Sequence, residues 1–132
     1  MTVELTMLVY ATALLLALVA VQATAGLRAQ GLPLAHSRDG LPAPTGLHAR
    51  MLRVVDNHRE GLTLFAPAVL VASFAGVSTD ATALGAQLFF YSRVAHAVIY
   101  MLGLPWIRPV IWLVGIVGIG MILYALVTTG LG

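Results

Sequence analysis

The chain has 132 residues, 60% hydrophobic and 9% charged, with no Cys and no Lys. Soluble domains carry about 25% charged residues, and twelve Asp, Glu and Arg side chains hardly supply a polar surface for a domain of this size. A mean hydropathy of +0.96 also excludes intrinsic disorder, and the lack of Cys excludes a disulfide framework and any Cys-ligated metal or iron–sulfur site. An integral membrane protein remains. The pI of 9.5 does not point to nucleic acid, because the few Arg residues mostly adjoin hydrophobic runs, as at a membrane edge.

The first predicted helix covers about residues 5–27, a stretch without a charge and long enough to cross a bilayer. Ala23-Thr24-Ala25 resembles a signal cleavage site. The basic segment that should precede it is missing, and Glu4 stands in its place. Residues 28–46 read as a loop rich in Pro and Gly. The second helix covers about 47–78. It opens on the polar stretch Arg50 to Glu60 and continues as an apolar run that contains Pro67, which should kink it.

Ser78-Thr79-Asp80 predicts a turn and N-cap for a third helix over about 81–104. Gly103, Pro105 and Pro109 mark a tight connection to a fourth helix over about 109–129, whose Gly115, Gly118 and Gly120 form a small face suited to close packing. The expectation is an all-α, integral membrane four-helix bundle, one transmembrane domain over 1–132. Arg28, Arg38, Arg50, Arg53 and Arg59 adjoin the first connection and Arg108 the third, so the positive-inside rule places these connections in the cytoplasm and both termini outside.

Two constellations carry chemistry. At about 100° per residue, Arg50, Arg53, Asn57 and Glu60 share an arc of about 80° on the second helix. They offer guanidinium forks for carboxylates, an amide, and a carboxylate for an amine. Arg93, His96 and Tyr100 share one face of the third helix. Arg93 is an intramembrane cation and must pair inside the bundle. Its natural partner by this reading is Glu60, and a purely structural bridge between the two would satisfy both. Arg108 joins the same depth. His58 and His96 also allow a haem-binding bundle, but helical phase turns His58 away from the polar stripe.

The run Arg50-x-x-Arg53-x-x-x-Asn57-x-x-Glu60, the apolar helix with Pro67, Arg93-Val-Ala-His96-x-x-x-Tyr100 and Gly103-x-Pro-x-x-Arg108 resemble the MAPEG family, the membrane-associated proteins in eicosanoid and glutathione metabolism. The resemblance is to bacterial members near the prostaglandin E synthase and leukotriene C4 synthase branch, and it covers about 47–128. It implies a homotrimer in the bacterial inner membrane. It also implies glutathione as co-substrate, bound between protomers near the cytoplasmic face, and a lipophilic small molecule arriving from the membrane lipid. By position, Arg53 would bind a glutathione carboxylate, with Arg50 a further contact. Asn57 and Glu60 would hold its polar backbone and amino group, and Arg93, His96 and Tyr100 would line the site. Arg108 would face the sulfur as the catalytic residue. No metal and no nucleic acid are implied. The reading is a glutathione transferase or peroxidase; the alternative is a non-enzymatic accessory subunit of a larger membrane complex.

Overall fold

The computed structural model describes residues 1–37 and 39–129, which leaves Arg38 of the topology argument outside the described residues. It contains five helices: α1 (Val3–Gln30), α2 (Pro33–His36), α3 (Gly46–Phe74), α4 (Asp80–Leu102) and α5 (Arg108–Thr129). The four long ones match the four expected, and no strand occurs among the described residues. The short α2 lies inside the segment read as loop. It starts on Pro33, whose fixed φ suits a first helical turn. The second helix ends at Phe74, four residues before the expected boundary, because Gly76 takes φ 66° and turns the chain. α3 continues through Pro67, whose missing N–H removes one helical bond without ending the helix.

α4 starts as the sequence suggested. Thr79 is its N-cap, and Thr79 and Thr82 form a reciprocal capping box. It stops at Gly103, which adopts φ 75° and donates its N–H to Tyr100 O at 3.1 Å.

α1 packs against α3 and α4, α5 packs against α4 and α3, and among the described residues the backbones of α1 and α5 do not approach each other. The polar-bearing α3 and α4 therefore form the middle of the molecule, with the most apolar helices on either flank. Both α1 and α5 are long and apolar enough to cross a membrane. Their outward residues, among them Leu16, Val110 and Leu123, are exposed. This suits lipid, because a helix that is apolar all round gains nothing from water.

The core has two parts. One is built around Phe65 and Phe89, whose rings stack with centroids 4.0 Å apart, together with Met7, Ala11 and Ile122. The other joins Leu18, Met51, Val54 and Ala97. Buried polar residues His58, Arg93 and His96 fall between them in sequence on α3 and α4. Of the small face on α5, Gly115 and Gly118 are buried. A Cβ at Gly118 would sit 3.0 Å from Phe89 N, so α4 and α5 meet backbone to backbone. Gly120 is exposed and has open space beside it, and so plays no part in this contact.

Glu4 closes the bundle at one end. Only 2% exposed, it accepts hydrogen bonds from Ser78 Oγ at 3.1 and 3.2 Å and from the Thr82 hydroxyl. The start of α1 is thereby tied to the α3–α4 turn. A buried carboxylate is costly unless its lone pairs are filled. Thr82→Val keeps the shape of the side chain and removes one of these donors. It is expected to cost about 1–3 kcal/mol of stability, measured by chemical denaturation in detergent, whereas the exposed Thr63→Val should change stability by less than about 0.5 kcal/mol. Equal effects of the two would show that Glu4 does not depend on Thr82.

Candidate functional site

At the other end the chain gathers its cations. The C-terminus of α1, the N-terminal part of α3, the C-terminus of α4 and the N-terminus of α5 bring Arg28, Arg50, Arg53 and Arg108 toward one end of the bundle, with Glu4 and Asp80 at the other and Arg59 midway along α3. Arg50 shows this juxtaposition directly: its Nη1 lies 3.2 Å from where a Cβ on Gly103 would stand. Arg50 thus sits against the carboxyl end of α4, where a cation is favoured by the unpaired carbonyls.

The polar stripe on α3 divides across its width. Arg50 and Asn57 lie at one edge of the arc and are half-buried; Arg53 and Glu60 lie at the other and are exposed. The split follows from helical phase. Met51, Val54, His58 and Phe65 set the inward direction, and Asn57 and Arg50 lie nearer to it by about 40–80° than Arg53 and Glu60 do.

Arg93 is 3% exposed, and its Nη1 donates to Asn57 Oδ1 at 2.5 Å. The expected Arg93–Glu60 bridge is not formed. Glu60 lies on the exposed edge of α3, while the amide one turn earlier faces the buried guanidinium. The one ion pair among the described residues is the exposed Arg59–Asp56 contact at 2.5 Å, of a kind that contributes little to stability. Arg93 Nε and Nη2 are buried without a hydrogen-bond partner. They lie beside α5, where a Cβ at Gly115 would come 3.2 Å from Nη2 and 2.6 Å from Ser92 Oγ. Gly115 leaves the room that the guanidinium occupies.

A cleft of about 500 Å³ opens alongside. Its walls are Asn57, His96, Tyr100, Arg108, Pro109 and Trp112. The His96 and Tyr100 rings lie 5.4 Å apart. The Arg108 guanidinium carbon stands 4.3 Å above the Tyr100 ring, a cation–π contact that orients the planar group. The i, i+4 spacing of His96 and Tyr100 and the tight α4–α5 turn produce this convergence.

Within one protomer the structure brings Asn57, His96, Tyr100 and Arg108 together, with Arg93 bonded to Asn57. It does not bring Arg50, Arg53 or Glu60 to the cleft wall. His58, the residue weighed for haem, is buried on the α1 side, with Nε2 2.8 Å from Ala11 O. A carbonyl oxygen only accepts a hydrogen bond, so Nε2–H is the donor and is already engaged. Among the described residues no cluster of three or more His, Asp or Glu is placed to hold a metal ion.

Sequence reasoning missed Glu4 as a buried residue and did not single out His48, which is also buried. For Glu4 a signal existed, namely a carboxylate beside an apolar helix and three hydroxyl residues in the distant turn.

No curated protein and no solved structure matches the chain. The model of the MAPEG family matches residues 3–128, from the first residue of α1 to within one residue of the end of α5, and the chain belongs to the MAPEG family.

Proposed function

We propose that the protein is a glutathione-dependent membrane enzyme of transferase or peroxidase type, acting as a homotrimer on lipophilic electrophiles. The observation that carries this reading is Arg93. A guanidinium this deeply buried, bonded to a neutral amide and with two nitrogens unpartnered, leaves positive charge uncompensated in a low-dielectric interior. An anionic ligand offsets that charge. Glutathione offers two carboxylates, an ammonium and a thiol, which is the complement of Arg side chains together with one free carboxylate.

The roles follow from position. Arg108, held over Tyr100 at the cleft mouth, favours the thiolate of glutathione. A free thiol has a pKa of about 8.5, and each unit of lowering corresponds to about 1.4 kcal/mol. Arg suits this task because it stays protonated when partly desolvated. In a transfer the thiol loses its proton to water, the sulfur forms a bond to the electrophilic carbon, and the leaving group departs with its electron pair. Asn57, His96 and Tyr100 line the cleft and set the polar contacts, with Arg93 behind the wall and bonded to Asn57. Arg53 and Glu60, exposed on one protomer, suit a carboxylate and the ammonium of a ligand held between protomers, with Arg50 behind them.

The Arg-rich end of the bundle supports a cytoplasmic orientation for this site in a bacterial inner membrane, with both termini outside. All four long helices then cross the bilayer; even α5, the shortest with 22 residues, reaches about 33 Å. Glutathione enters from water and the second substrate from lipid, and an interfacial cleft serves both.

The test is glutathione titration of the purified full chain in detergent, followed by calorimetry and conjugation of 1-chloro-2,4-dinitrobenzene. Saturable binding and turnover are expected, with Arg53→Ala weakening binding at least tenfold. Absence of binding, with the chain co-purifying in a larger assembly, would favour the accessory-subunit reading.

A further inference from the structure

A second cavity lies on the opposite side of the molecule, between α1, α3 and the segment that carries α2. Its volume is about 310 Å³. Leu27, Leu34 and Leu52 form its apolar walls, and Gln22, Gln30 and His48 supply its polar groups. None of the residues of the glutathione cleft contributes to it. It stands independently of the proposed function.

His48 is the informative residue. It is 5% exposed, and its ring makes no hydrogen bond among the described residues. Buried polar groups are nearly always paired, and an exception calls for a partner. Its Nε2 edge faces α1, where a Cβ on Gly26 would stand 2.9 Å away; glycine there leaves the imidazole its place. The half-buried Gln22 makes no side-chain hydrogen bond among the described residues. Gln30 donates its Nε2 to Pro42 O at 2.6 Å, which leaves its amide oxygen free to accept. The described walls contain no Asp, Glu or Arg. The site therefore presents neutral donors and an acceptor inside an apolar box, at the end of α1 and the start of α3.

We infer that this cavity binds the head of an uncharged, lipid-derived amphiphile bearing both a carbonyl and a hydroxyl group, as in a monoacylglycerol. Gln22 and His48 donate to the carbonyl, and the Gln30 amide oxygen accepts from the hydroxyl. The acyl chain leaves along the leucines toward the bilayer. α2 forms the outer wall through Leu34 and Ala35, with Pro44 beside it. A pocket of this kind, mostly apolar with a few convergent polar groups, is the common form of a small-molecule site.

The experiment uses the full chain in detergent with radiolabelled monoolein, measured by scintillation proximity and displaced by unlabelled competitors. Saturable binding is expected. Displacement by decylubiquinone, which carries acceptors only, should require at least tenfold more competitor, and displacement by oleate likewise. His48→Phe keeps a ring and removes the donor, and should weaken binding at least tenfold. Ala35→Trp fills the cavity from the exposed outer wall and should abolish binding with an unchanged melting temperature, which keeps the test valid if His48→Phe fails to fold. Absence of saturable binding, equal displacement by oleate, or full binding by Ala35→Trp would each overturn the assignment. Glutathione titration of Ala35→Trp separates the two sites: it should match wild type whether or not wild type binds glutathione.

Discussion

Arg108→Leu is expected to lower kcat/KM for glutathione conjugation by about 10²–10³-fold while leaving the fold intact. The magnitude is that of removing one preorganised charge aimed at an anion that reacts. The fold should tolerate the change because Arg108 is half-buried at a helix start and touches the rest of the protein chiefly through the Tyr100 ring. Leu retains contact with that ring. The pH profile gives a sharper test than the rate alone. If Arg108 stabilises the thiolate, the acidic limb of the kcat/KM profile should move to higher pH in the variant, by about one unit for each 1.4 kcal/mol of lost stabilisation. Arg108→Lys restores the charge but not the planar group that lies on Tyr100, so it should recover only part of the rate. A purely structural Arg108 would lower the melting temperature and leave the limb in place. Turnover within twofold of wild type in Arg108→Leu would remove Arg108 from the catalytic role.

The long helices and the shared face of Arg93, His96 and Tyr100 were legible in the sequence because they depend on local periodicity, whereas Trp112 of the cleft wall carried no such signal. Spacings of three and four placed Arg93, His96 and Tyr100 on one face, and the Thr79 cap announced α4. What periodicity could not give is the rotation of each helix about its axis. Arg50, Arg53, Asn57 and Glu60 form one stripe on a wheel, yet the bundle buries one edge of it and exposes the other. That rotation is set by Met51, Val54 and Phe65 packing against α1 and α4. Charge reasoning paired Arg93 with Glu60, and rotation gave Asn57 instead. Glu4 was hidden for a related reason. Its partners Ser78 and Thr82 lie more than 70 residues away, and only the antiparallel return of α3 brings them near. His48 carried no sequence pattern at all, since its environment is built by α1 and the α2 segment.

The Arg93–Asn57 contact leads to the other large expected effect. Asn57→Leu should destabilise the protein by about 1.5–3 kcal/mol, the range for a lost hydrogen bond to a charged group. The loss leaves every donor of a 3%-exposed guanidinium without a protein partner. The cost arises from the stranded charge more than from the amide, and a second substitution separates the two. Arg93→Met removes the charge and keeps an unbranched apolar side chain, so the double variant Asn57→Leu/Arg93→Met should be more stable than Asn57→Leu alone. Removing both members of a buried polar pair is often near neutral, whereas removing one is not. Function should run the other way. Saturating glutathione supplies an anion to Arg93 and should recover part of the stability of Asn57→Leu, whereas the double variant should gain nothing from it. Chemical denaturation with and without glutathione measures all four proteins. A double variant less stable than Asn57→Leu would show that the Arg93 stem, packed beside Phe89 and Gly115, matters more than its charge. Equal glutathione stabilisation of both variants would place the ligand away from Arg93, and the buried cation would then no longer support an anionic ligand in the cleft.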